Sequence, residues 1–260
     1  MNDAPIGVFD SGLGGLTVWS ELRRRLPRES LVYYGDGKNC PYGGKSREEI
    51  EGYADFAVRR LLERGVKLVV VACNTATAMA IDHLRATYSI PFVGLEPAVK
   101  PAAEATRSGV IGILATAATL KGRHFRDTAA RYASRVEIIP TVGEGLVELV
   151  EADREESAEA RALVARYVEP MLERGADQIV LGCTHYPFLS GVIREVAAGR
   201  PVELVNPSEA IERRVETLLV ELGLAAGEGH EPAYEFCTSA DETYRRKLAA
   251  KSKKAAEDLK

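Results

Sequence analysis

Two cysteines occupy matching positions in this chain. Cys73 and Cys183 each close a β-branched apolar run and each is followed by polar side chains, in Ala72-Cys73-Asn74-Thr75-Ala76 and Gly182-Cys183-Thr184-His185-Tyr186. A cysteine used only for packing would sit inside the apolar run. A strand-to-helix turn at each site would offer a thiol, hydroxyl or amide donors, and the unpaired N–H groups of the next helix's first turn, a cradle suited to a carboxylate. Such a helix end lowers a thiol's pKa from about 8.5, and the thiolate can then serve as nucleophile, redox centre or proton acceptor. Two thiols in mirror-related positions favour the last role. Taking a proton from one face of a carbon and returning one to the other requires two acid/base groups, and stereoinversion is the product. His185 is placed to tune the Cys183 thiol or to stabilise charge, although a histidine after a strand is more often a turn or capping residue.

Asp10-Ser11-Gly12-Leu13-Gly14-Gly15 follows the first apolar run and precedes an amphipathic stretch, Leu16–Leu26. The dinucleotide fingerprint fails here because Thr17 stands where its third glycine belongs. Close backbone approach and positive φ both explain the glycines, with Asp10 and Ser11 facing a pocket. Asp10 would orient a substrate ammonium, assist a thiol, or simply cap the helix. The turn-rich loop from Gly35 to Ser46 has the length of a site-covering loop, with Tyr42 and the Gly43 amide as substrate contacts; Ser46 and Glu49 are spaced as a capping box. Cys40 and Cys237 lack the strand-end position and are read as structural or incidental thiols. Four cysteines without a Cys-x-x-Cys pair specify neither a disulfide scaffold nor a zinc site, so no metal is expected.

The elements that must hold these residues alternate along the chain. Ile6–Phe9, Leu31–Tyr34, Leu68–Ala72, Phe92–Leu95, Val110–Leu114, Val136–Ile139, Gln178–Gly182 and Val202–Val205 read as strands, with helical patterns between them. Near-continuous apolar strands of this kind imply α/β architecture with mostly parallel, doubly covered sheets. The chain also echoes itself. Leu61–Thr75 aligns with Met171–His185 through Leu-Glu-Arg-Gly and the strand-end cysteine, and Pro5–Ser11 resembles Val110–Thr116 at nearly the same offset. Either the chain holds two pseudo-symmetric doubly wound halves, bringing Cys73 opposite Cys183, or the echo is only the grammar of helix, glycine and strand. The lysine-rich segment from Lys251 to Lys260 reads as a solvated tail or fraying helix. With 260 residues, 46% hydrophobic and net charge −4, the chain can bury a sizeable core but offers no cationic surface for nucleic acid. No apolar run approaches the ~18 residues of a membrane span, and the first residues show no basic-then-apolar leader, so a cytoplasmic protein without a membrane partner is expected.

Together, Ile6-Gly-Val-Phe-Asp-Ser-Gly-Leu-Gly-Gly-Leu-Thr-Val18, Cys40-Pro-Tyr-Gly43, Ala72-Cys-Asn-Thr-Ala76, Leu114-Ala-Thr-Ala-Ala-Thr-Leu120 and Leu181-Gly-Cys-Thr-His-Tyr-Pro-Phe188 resemble the bacterial glutamate racemases, in order and over nearly the whole chain. The cysteine motifs are shared with the wider aspartate/glutamate/hydantoin racemase group, while the opening motif and the Pro-Tyr-Gly loop resemble glutamate enzymes more narrowly. The resemblance implies a cofactor-independent two-base isomerase that makes D-glutamate for peptidoglycan, and hence a role in cell-wall biogenesis and cell shape. It implies Cys73 and Cys183 as the paired proton donor and acceptor. Asp10, Ser11, Tyr42, Gly43, Asn74, Thr75, Thr184 and His185 match substrate-contacting positions, with Thr116 and Thr119 as further pocket residues. Asp10 and His185 are also auxiliary acid/base groups there, and Glu151 falls where an assisting carboxylate stands. Gly37, Asn39, Gly44 and Asn206-Pro207 depart from the family pattern.

The implied organisation is a first domain of residues 1–97 plus 208–260 and a second of 98–207, with the site in the cleft between them. Two neighbouring readings remain: a racemase of aspartate or another acidic amino acid, set by pocket length, and a non-catalytic amino-acid sensor. A thiol–disulfide oxidoreductase is disfavoured by cysteine spacing. A homodimer is a weak expectation.

Overall fold

The computed structural model describes residues 2–257, and their contacts separate two compact units. The first runs up to Leu95 and resumes at Ser208; the second is Glu96–Pro207.

The first unit opens with β1 (Ile6–Asp10), α1 (Leu16–Arg25), β2 (Leu31–Gly35), α2 (Arg47–Leu62), β3 (Leu68–Val71), α3 (Asn74–Thr87) and β4 (Phe92–Gly94). The second comprises α4 (Val99–Ala105), β5 (Val110–Ala115), α5 (Ala117–Lys121), α6 (Arg123–Tyr132), β6 (Glu137–Val142), α7 (Leu146–Glu151), α8 (Ala158–Glu173), β7 (Gln178–Gly182), α9 (Ser190–Ala197) and β8 (Glu203–Val205). The chain then returns to the first unit with α10 (Ser208–Glu221), β9 (Tyr234–Thr238) and α11 (Glu242–Glu257). Every strand pair is parallel. β1, β2, β3 and β7 are buried along their whole length, as strands covered on both faces must be.

The internal echo is more than shared grammar. The first sheet runs β4-β3-β1-β2-β9 and the second β8-β7-β5-β6, so four strands follow the same order in each unit, with β1 matching β5 and β3 matching β7. The 16-residue helices α2 and α8 match as well, each capped by a serine, Ser46 and Ser157. Ser46 and Glu49 form the reciprocal capping box that their spacing predicts.

Two sequence expectations need correction. β9 was not anticipated: it pairs with β2 at the sheet edge and has no continuous apolar run, with Glu235 exposed and its other residues only half-buried. Trp19 of α1 packs on Tyr234 and Phe236 of this strand, at 5.6 and 5.1 Å between ring centroids. The lysine-rich end is not a solvated tail where it is described, since α11 continues to Glu257 and buries Lys251 and Ser252. Its last three residues lie outside the described part.

Candidate active site

In the first unit the candidate side chains gather where β1 and β3 end. Asp10, wholly buried, closes β1 and accepts the Gly12 N–H at 2.9 Å through Oδ1, which folds the chain back on itself. The Tyr33 hydroxyl donates to the Gly12 carbonyl at 2.7 Å and pins the same turn. Gly15 is required for close approach, not for handedness: its φ is an ordinary −63°, but a Cβ there would lie 2.6 Å from the Asp10 Cβ and 2.9 Å from the Tyr33 hydroxyl.

Cys73 is the N-cap of α3. Its Sγ accepts the Ala76 N–H at 3.4 Å, so the positive end of a 14-residue helix points at the sulfur. The thiol lies 3.6 Å from Ser11 Oγ. Asn74 and Thr75, in the first turn of α3, are buried beside it. Asn74 Nδ2 donates to the Leu95 carbonyl at 3.5 Å, while its buried Oδ1 has no partner among the described residues. A buried amide oxygen calls for a hydrogen-bond donor.

Tyr42 reaches the same neighbourhood from the loop after β2. Its ring packs on Phe9 and Tyr53, and its hydroxyl donates to Asp36 Oδ2 at 2.5 Å. Burial, reinforced by Asp36, pushes the phenol well above its usual range, so Tyr42 remains a neutral donor. Gly43 follows in the turn and is partly exposed.

The second unit builds the corresponding edge at the ends of β5 and β7. Ala115 pairs with Gly182, and a Cβ on Gly182 would fall 2.7 Å from the Ala115 Cβ, so only glycine lets the chain pass into Cys183. Thr116 caps α5 by accepting the Thr119 N–H at 3.2 Å, and the two threonine hydroxyls lie 2.8 Å apart. Cys183, Thr184 and His185 are all buried. Cys183 Sγ lies 3.8 Å from His185 Nδ1, and His185 Nε2 lies 2.7 Å from Glu151 Oε1 at the end of α7. A thiol, an imidazole and a carboxylate thus lie in one continuous chain of contacts, in which the carboxylate orients the ring.

The expected symmetry fails in one respect. Cys183 does not begin an α-helix: it leads into a 3-10 turn, Tyr186–Leu189, before α9. Pro187 has no N–H to extend the turn. The Tyr186 hydroxyl donates to the Gly143 carbonyl at 3.0 Å, and burial first, then Cys183, holds this phenol in its neutral form.

Asp10, Ser11, Tyr42, Asn74, Thr75 and Cys73 therefore cluster in one unit, and Thr116, Thr119, Cys183, Thr184 and His185 stand at the corresponding strand ends of the other, where Glu151 joins them from the end of α7. Asp36, Tyr33 and Tyr186 were missed. Asp36 carried a signal, since it follows β2 as Asp10 closes β1; the two tyrosines looked like ordinary core residues. Cys237 stands apart on β9, where it donates to Glu235 Oε1 at 3.1 Å and burial raises its thiol to about 11.

Residues 14–214 match the family described as Asp/Glu/Hydantoin racemase. A glutamate racemase of Herpetosiphon aurantiacus is 49% identical over 248 residues, covering 95% of this chain and 97% of that protein. Among solved structures, a Bacillus anthracis glutamate racemase isoform superimposes with a TM-score of 0.86 at 32% identity, covering 96% of this chain and 94% of that one. Escherichia coli glutamate racemase, solved in complex with L-glutamate and an activator, gives 0.84 at 33% identity over 96% and 95% of the two chains. Fold, strand-end thiols and relatives together define an amino-acid racemase, an isomerase. The chain belongs to the Asp/Glu/Hydantoin racemase family.

Proposed function

We propose that this enzyme interconverts L- and D-glutamate with no organic cofactor, using Cys73 and Cys183 as acid/base groups on opposite faces of the substrate Cα. The observation that carries the reading is the duplicated strand end: the same place in two equivalent sheets ends in a buried thiol amid donors. The names of the relatives and the L-glutamate bound to one of them support the choice of glutamate.

One cysteine begins as thiolate and the other as thiol. The thiolate takes the α-proton, forming S–H as C–H breaks, and the electron pair stays on the substrate as a carbanion delocalised into the α-carboxylate. The opposite thiol then donates its proton to the other face and becomes the thiolate. Direction reversal exchanges the roles. Because Cα–H is a very weak acid, fixed donors must meet the growing carboxylate charge, and Ser11, Thr75, Thr116, Thr119, Thr184 and the Gly43 amide supply candidates. Asp10 and the open Asn74 Oδ1 suit the substrate ammonium. His185 and Glu151 support Cys183 when it gives or takes its proton. D-glutamate made in the cytoplasm would feed peptidoglycan synthesis.

Incubation with L-glutamate or L-aspartate in deuterated water tests the reaction, the cofactor requirement and the substrate together. Glutamate alone should yield inverted, α-deuterated product without additions. Cys73→Ser and Cys183→Ser should each reduce inversion by at least about 10²-fold. Full inversion in both variants would remove the thiols from the mechanism, and binding without exchange in the native enzyme would make the protein a sensor.

A further inference from the structure

We propose that Asp36 is a positioning residue for substrate binding, fixing Tyr42 and the Tyr42-Gly43 turn from the end of β2. The proposal rests on the reading above that this turn contacts glutamate. Asp36 is 2% exposed, and both of its oxygens are engaged by donors from different stretches of chain. Oδ2 accepts from the Tyr42 hydroxyl at 2.5 Å and from Asn39 Nδ2 at 3.0 Å. Oδ1 accepts from Asn39 Nδ2 at 3.0 Å and from the Ser239 hydroxyl just beyond β9. The backbone of Asp36 is clamped as well: its N–H donates to the Asp10 carbonyl at 3.0 Å, and its carbonyl accepts the Asn39 N–H at 3.0 Å.

One carboxylate therefore ties the strand end that bears Asp10, the loop that bears Tyr42, and the C-terminal strand. Packing on Phe9 and Tyr53 places the Tyr42 ring, but a phenol this deeply buried must find an acceptor, and Asp36 supplies it. Tyr42 and Cys73 belong to the same buried cluster of the first unit, so the loop that Asp36 ties down packs into the core that holds this thiol. On its other side Asp36 lines a cavity of about 650 Å³ with Tyr34, Asn39, Phe56 and Ser239. Asp36→Asn keeps the size of the side chain and one acceptor oxygen, so the variant should fold.

The test is a double-mutant cycle with Asp36→Asn and Tyr42→Phe in the full-length enzyme, read as kcat and KM for glutamate and as amide hydrogen exchange of residues 36–46. Asp36→Asn should raise KM about 10-fold while kcat changes less than about 3-fold, and in the Tyr42→Phe background the same substitution should change KM less than about 3-fold. Amides of residues 36–46 should exchange faster in Asp36→Asn, with those of β3 unchanged. Multiplicative KM effects, an unaltered KM, or unaltered exchange would each overturn the proposal. A wild-type enzyme that turns over no glutamate would sink the functional reading by itself, and the exchange data would still decide whether Asp36 holds the loop.

Discussion

The two thiols keep unequal company. Cys183 is backed by His185 and Glu151, whereas Cys73 faces the α3 N-terminus and the Ser11 hydroxyl. L- and D-glutamate are equal in energy, so any substitution must lower kcat/KM for inversion equally in both directions. The asymmetry has to appear in exchange instead. With His185→Asn, inversion should fall about 10²-fold or more. One enantiomer, the one whose α-proton meets Cys73, should still take up deuterium with retained configuration at close to its native rate. Equal loss of exchange from both enantiomers, measured by NMR of recovered substrate, would show that His185 does not serve Cys183 alone. Cys237 gives a contrasting prediction. Its thiol is pushed up to about 11, so it is protonated at neutral pH and should alkylate slowly until the pH rises past about 10. Cys237→Ser should leave racemisation within about 2-fold, because its thiol is bound to Glu235 on the edge strand and takes no part in the proposed proton transfer. Mass-spectrometric labelling between pH 7 and 11 checks the titration.

Among the elements, a buried ion pair ties together segments around the first sheet. Lys67 Nζ lies 2.5 Å from Glu29 Oε2, with the side chains 1% and 6% exposed. Lys67 also donates to the Asn2 carbonyl at 2.6 Å, and Glu29 Oε1 accepts the Ala226 N–H at 2.9 Å. The pair thus joins the N-terminal segment, the turn before β2 and the stretch after α10. Lys67→Met strands a carboxylate in the interior and should cost about 3–5 kcal/mol in urea unfolding, and adding Glu29→Gln should recover part of it. A loss below about 1 kcal/mol would mean that water reaches the pair. Nothing in the sequence announces this contact, because it joins residues far apart in the chain whose types are ordinarily exposed. The same physics separates what was legible from what was not. Strands buried on both faces announce themselves as apolar runs, so β1, β2, β3 and β7, with the two strand-end cysteines, could be read directly, while β6 and β8 are largely half-buried and were read from short β-branched runs. β9 pairs on one edge only and alternates Tyr-Glu-Phe-Cys-Thr, which hides it. The turn after Cys183 was misjudged because the Cys-Thr-His motif copies Cys-Asn-Thr, while Pro187, four residues beyond the cysteine, has no N–H to donate back to the first turn of an α-helix. Asp36 was passed over although it follows β2 as Asp10 closes β1, because its contacts with Tyr42 and Ser239 form only on folding.

For the whole molecule, the single tryptophan offers a way to ask whether one substrate engages both units. Trp19 is 1% exposed and lies in the first unit, against β9. Its emission therefore reports unfolding of the first unit, while circular dichroism reports both. Glutamate at 100 times its Kd should stabilise whatever holds it by about 2.7 kcal/mol. If Cys73 and Cys183 act on one carbon, part of the affinity must come from each unit. Thr184→Val, which alters only the second unit, should then weaken glutamate's protection of the Trp19 transition while leaving that transition's ligand-free midpoint unchanged. Undiminished protection would mean that the first unit binds glutamate by itself, and the paired-thiol mechanism would lose its basis even if the enzyme still racemised. A shifted ligand-free midpoint would instead show that the two units unfold together, and the comparison would pass to glutamate affinity measured by calorimetry, where Thr184→Val should still lower binding.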